Sequence, residues 1–280
     1  MRFGVSTHLY HDRRLQRDHL AQVAAYGFEA IELFATRSHF DYRDEAAIDL
    51  LKQWLAETGL TLNSVHAPIT DLFGTGDQWS PTYSNAVNDR ERREAAVRET
   101  DTALKLAERI PFDVLVVHLG TPTSREVAGD NNRASAVRSL EEISNLAGAR
   151  GVRVAVEVIP NKLSDAAALA TMLEREIDAR HAGICFDFGH AHLMGDVVDA
   201  IENASEHIIA THVHDNRGKD DAHLVPGLGT IDWNAALIAM QKIGYMGTYL
   251  MELASTGTPG AVLEEARRAR QRFERALALP

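Results

Sequence analysis

Eight short apolar, β-branched runs, separated by stretches of helical period, set the strongest limit on what this chain can become. The runs are Arg2–Ser6, Ala30–Phe34, Thr61–His66, Val114–Leu119, Val152–Val158, Gly183–Phe188, Ile208–His214 and Thr248–Leu253. Candidate helices lie over Leu15–Tyr26, Glu45–Glu57, Asp89–Glu108, Asn132–Ala149, Asp165–Ile177, Val197–Ser205, Trp233–Ile243 and Gly260–Leu277. Alternating β and α units build a parallel sheet with crossover helices. Eight such pairs in 280 residues predict a single α/β domain over 1–280, a (β/α)8 TIM barrel. A doubly wound open sheet is the alternative, but it normally opens on a glycine-rich turn, and here the first run leads into Ser6-Thr7-His8. The connection 67–88 is long enough to read as a lid-like βα loop.

In a barrel the chemistry sits at the C-terminal ends of the strands. From the third run to the eighth, those ends carry His66, His118, Glu157, Asp187, His212 and Glu252, and Glu32 lies in the second. Each follows an apolar stretch, and an ionisable group emerging from a core strand must be paired or bound to a metal. Imidazoles and carboxylates converging on one mouth predict a divalent-metal site. His190, three residues after Asp187, reaches the same cavity if the chain turns tightly into a loop. Asp221 and His223 share one side if their backbone is extended. Other groups have simpler readings. Glu32 reads equally as a partner for an arginine beneath the mouth, His214 as a donor behind a ligand, and Cys185 as core packing.

Composition narrows the function further. Lys plus Arg number 29 against 40 Asp plus Glu, a net charge of −11, so a bulk electrostatic grip on nucleic acid is not indicated. The single cysteine excludes a disulfide framework and a Cys-based zinc knuckle, while 13 histidines leave ample imidazole. No run approaches the ~20 apolar residues of a membrane span, and Met1–Ser6 reads as strand and not as a signal peptide. The expectation is a cytoplasmic protein without membrane contact.

Four segments resemble one family: Gly183-Ile-Cys-Phe-Asp-Phe-Gly-His-Ala-His, Thr211-His-Val-His-Asp-Asn-Arg, Asp221-Ala-His-Leu-Val-Pro-Gly-Leu-Gly-Thr-Ile-Asp-Trp, and Gly244-Tyr-x-Gly-x-x-x-x-Glu252. Together they are similar to the xylose isomerase-like TIM-barrel superfamily, which includes sugar isomerases, epimerases and endonuclease IV. The isomerase pattern implies one ion (Mn2+, Mg2+ or Co2+) on Glu157, Asp187, His212 and Glu252. There Glu157 and Glu252 would exchange a substrate proton, His190 and Arg217 would orient substrate oxygens, and His8 and Trp79 would close the pocket. The endonuclease pattern implies three Zn2+ on His66, His118, Glu157, Asp187, His190, His212, Asp221, His223 and Glu252, and all nine positions carry suitable residues. Against that pattern, the motif after the seventh run reads His-Val-His-Asp-Asn-Arg, and no Arg–aromatic cluster marks a DNA wedge. The resemblance therefore implies a metal-dependent isomerase or epimerase acting on a sugar, sugar phosphate or polyol, with a homo-oligomer as the expected assembly. The alternative it leaves is a multinuclear zinc phosphoesterase.

Overall fold

The computed structural model describes residues 2–71, 83–177 and 180–278. Eight parallel strands close into a barrel in chain order: β1 Arg2–Ser6, β2 Ala30–Phe34, β3 Thr61–His66, β4 Val114–Val117, β5 Arg153–Glu157, β6 Ala182–Asp187, β7 Ile208–Val213 and β8 Thr248–Met251. The last strand pairs with the first, Val5 opposite Met251, so no edge is left open. The helices are α1 Arg17–Ala25, α2 Glu45–Thr58, α3 Arg90–Leu104, α4 Arg133–Gly148, α5 Ala166–Arg175, α6 Phe188–Met194, α7 Val197–Ala204, α8 Trp233–Lys242 and α9 Pro259–Leu277. Short polar residues start most of them. Asp44, Asp89, Asn132, Asp165, Asp196, Asp232 and Thr258 each accept a backbone N–H of the following first turn.

Strand alternation decides which side chains face the barrel interior. Outward-facing Leu115, Val117, Val154, Val156, Ile184 and Phe186 belong to the large core beneath the helices. Inward-facing Val114, Val116, Ala155, Cys185 and Ala210 form a small separate cluster inside the barrel. Two residues further along the same inward rows come Glu157, Asp187 and His212. Register then places Asp187 opposite His212, while Glu157 lies opposite Cys185, one inward-facing step before Asp187. Small residues below thus leave room for a polar layer above.

Two local features depart from the sequence reading. Asp187 leads into α6 and not into a loop turn, because its carboxylate accepts the His190 backbone N–H at 2.7 Å and caps the helix. A short 3-10 turn, Thr7–Tyr10, follows β1 and carries His8. Of the 67–88 connection only the two ends are described, held together by Tyr83 N–H donating to the Ile69 carbonyl at 3.1 Å. Trp79 lies outside the described residues.

Candidate metal centre at the barrel mouth

Among the described residues, three groups of ligand-type side chains meet at the C-terminal ends of the strands. They are His66, His118 and Glu157; Glu157, Asp187, His212 and Glu252; and His190, His214, Asp221 and His223. Within each group the donor atoms lie within 4.8 Å of one another. Glu157 belongs to two of them. Its Oε2 is 3.2 Å from His66 Nε2, 3.0 Å from His118 Nε2 and 3.3 Å from His212 Nδ1, and its Oε1 is 3.3 Å from His190 Nδ1.

Backbone carbonyls set which imidazole nitrogen is bare. Nδ1 of His66 donates to the Ala67 carbonyl at 2.9 Å, that of His190 to Val158 at 2.9 Å, and that of His223 to Glu252 at 3.0 Å. A neutral imidazole donating from Nδ1 presents its Nε2 lone pair, the form a cation binds. His212 is turned the other way: its Nε2 faces Glu32 Oε2 at 3.1 Å. Its Nδ1 is buried without a hydrogen-bond partner, 3.3 Å from carboxylate oxygens of both Glu157 and Glu252. A lone pair crowded by carboxylates calls for a shared positive centre, so this donor set fits a divalent ion.

The electrostatics agree. Burial opposes charge on Glu157, yet His118 and His212 hold its carboxyl well below the usual range. Asp187 is lowered against burial by His190 and His214, and Asp221 by His223 and His190. His190 is pushed well above the ordinary imidazole value, its burial outweighed by Asp187 and Asp221. His223 rises to about 9, burial again losing to Asp221. His8 falls well below 6.5 through burial and the neighbouring His223 and His11 rings.

The structure brings all nine expected ligands to the mouth and adds His214, whose Nε2 sits 3.0 Å from Asp187. Asp221 and His223 meet at 3.1 Å through a different backbone from the expected extended one, since His223 adopts φ 44°. Among the described residues Glu32 pairs with no arginine: it is fully buried between His212 and Ser64 Oγ, the latter at 2.9 Å. A hollow of about 800 Å³ opens above the groups, and His8 lines it, stacked on His11 and tilted against His223. Arg217 is not a lining residue. Asn216 donates to the Gly189 carbonyl and accepts from Gly218 N–H, each at 2.8 Å, and this turn leaves the exposed Arg217 guanidinium near the Leu228 carbonyl, 3.4 Å away. Lys219 and Thr121 line the hollow from loops that carry no periodic signal, and Tyr83 lines it from the end of the 67–88 connection read as lid-like.

Glu32 reaches the centre through its hydrogen bond with His212. Glu32→Gln is expected to weaken the tightest divalent ion about 10- to 100-fold, as outer-sphere changes do. Competition against a graded chelator series reads this directly, and an unchanged affinity would contradict the orienting role.

Comparison with known proteins supplies the wider setting. An uncharacterized protein of Methanocaldococcus jannaschii is 28% identical over 274 residues, covering 90% of this chain and 83% of the relative. An inosose isomerase of Bacillus velezensis is 24% identical over 228 residues (76% and 79% covered), and a D-psicose 3-epimerase of Enterocloster bolteae 24% over 262 (89% and 80%). Among solved structures, the IOLI protein with a bound zinc atom superposes with a TM-score of 0.78 at 17% identity, covering both chains fully (100% each). The family model described as xylose isomerase-like TIM barrel matches residues 20–275, and the chain belongs to that family.

Proposed function

We propose that the protein is a divalent-metal-dependent isomerase or epimerase acting on a small sugar, sugar phosphate or polyol. The observation that carries this reading is the convergence of Glu157, Asp187, His212 and Glu252 on one buried focus beneath an open hollow. The inosose isomerase and D-psicose 3-epimerase relatives support the substrate class. A divalent ion at that focus supplies positive charge to neighbouring substrate oxygens and so acidifies the C–H between them.

The chain's own groups do the rest. Glu157 is held ionised by its imidazole neighbours and is ready to accept a proton. Glu252, three strands further round the barrel, stands on the other side of the focus to return it. His8, with Nδ1 donating to the Leu253 carbonyl at 3.2 Å, presents its other nitrogen to bound hydroxyls. The apolar wall of Phe34 and Ile69 excludes water from one flank of the hollow.

The test is proton exchange. Metal-loaded protein is incubated in D2O with D-psicose or inosose, and deuterium at the carbon beside the carbonyl is followed by mass spectrometry. Enzyme-dependent labelling that stops with chelator is expected. One observation favours a second reading: Glu157 is shared between two groups and a third lies beside them, a layout suited to multinuclear zinc chemistry on phosphoesters. Absence of labelling, together with cleavage of DNA at abasic sites, would replace the first reading by the second.

A further inference from the structure

Asp215 lies just past β7 and has no part in the three ligand groups, yet it is fully buried. Four neutral N–H donors converge on its carboxylate. Oδ1 accepts from the backbones of Asn216 at 2.9 Å and Ile231 at 3.2 Å, and Oδ2 from the backbone of Gly227 at 2.8 Å and the Trp233 indole at 2.9 Å. Its main chain also pairs with Leu224 in both directions, at 2.7 and 2.8 Å. These bonds tie both ends and the middle of the 216–231 arm to one point. The arm carries Asp221 and His223, and His223, next to the Leu224 pairing, is the only non-glycine at positive φ among the described residues. Such a backbone persists only where its surroundings over-determine it. Gly229 completes the fit, because a Cβ there would overlap Asp215 Oδ1 and the Asn216 carbonyl.

We infer that Asp215 is a positioning residue that holds Asp221 and His223 against His190, and thereby builds the third ligand group as a separable cation site. His190 is placed independently, on α6 and by the Val158 carbonyl, as are Glu157, Asp187, His212 and Glu252 by strands β5 to β8. An asparagine at 215 would turn part of the acceptor surface into an amide NH2 facing N–H donors, which leaves buried groups unpaired. Loss of Asp215 should therefore empty one site and spare the other ligands. The inference rests on the reading of the mouth as a metal centre.

The experiment uses the full chain, stripped of metal, reloaded with Zn2+, gel-filtered and assayed for zinc per chain. Asp215→Asn, Gly229→Ala, His223→Ala and the Asp215→Asn/His223→Ala double variant are compared with wild type. Both Asp215→Asn and Gly229→Ala should hold one ion fewer than wild type, or bind that ion at least about tenfold more weakly, as His223→Ala does. The double variant should lose nothing more, and the Trp233 emission should shift in Asp215→Asn. If Asp215→Asn fails to fold, Gly229→Ala decides alone. Wild-type stoichiometry and affinity in a folded Asp215→Asn or Gly229→Ala would overturn the inference, as would a further ion lost in the double variant. A wild type that holds one ion at most would also overturn it, while leaving a one-ion isomerase intact; proton exchange tests that activity separately.

Discussion

Glu157→Gln is expected to reduce solvent-proton exchange into substrate by about 10³-fold, within the range of losing a positioned acid–base group. The same change should lower bound zinc, since Glu157 is common to two ligand groups. The amide keeps the shape but removes the negative charge that faces His66, His118, His190 and His212. Both readouts should fall together. Glu252→Gln, in one group only, should cut exchange with less effect on zinc content. Exchange within about tenfold of wild type in Glu157→Gln would refute its role as a base.

The stabilisation conferred by metal should grow steeply between about pH 6.5 and 9. In the metal-stripped protein His190, His212 and His223 all have raised pKa values, His223 to about 9. For His212, burial is outweighed by the surrounding Cys185, Glu252, Glu32 and Glu157. Groups raised above their unfolded value of about 6.5 stabilise the fold fully below that pH and lose the contribution as pH rises through the folded pKa. Deprotonation leaves buried carboxylates facing one another. Divalent ions need these same imidazoles neutral, so they restore the positive charge where protons have left. Melting curves of stripped and zinc-loaded protein across this interval should diverge by about six to twelve degrees at pH 9 and far less at pH 6, as about 3 kcal/mol of regained pairing implies for a chain of this size. Below about pH 4 both forms should weaken, because Glu157, Asp187 and Asp221 are depressed and their contribution disappears as they protonate. A gap that narrows toward alkaline pH would contradict this balance.

Much of the barrel and its ligand layer was legible because a strand's two-residue period fixes side-chain direction. The ranges of β1, β2 and β3 agree with the apolar runs, and the later runs extend past their strands by one or two residues at their C-terminal ends. Helix α6 was missed. It is seven residues long, contains a glycine and two histidines, and begins directly on the strand, so no amphipathic period had room to show. The three-residue spacing from Asp187 to His190 is that of a helix cap. Arg217 illustrates the other limit: motif resemblance predicted a residue in the pocket, but the Asn216 side-chain turn aims it elsewhere. Loop direction depends on bonds between distant segments, such as Asn216 to Gly189, that no local pattern encodes.

The capping role of Asp187 carries a mechanical consequence. One oxygen of that carboxylate is committed to the His190 amide, and His190 belongs to a different ligand group from Asp187. A single turn of helix therefore yokes two groups together: any tilt of α6 displaces a donor in both at once. Ions seated there would share one rigid lever and would have to shift in concert.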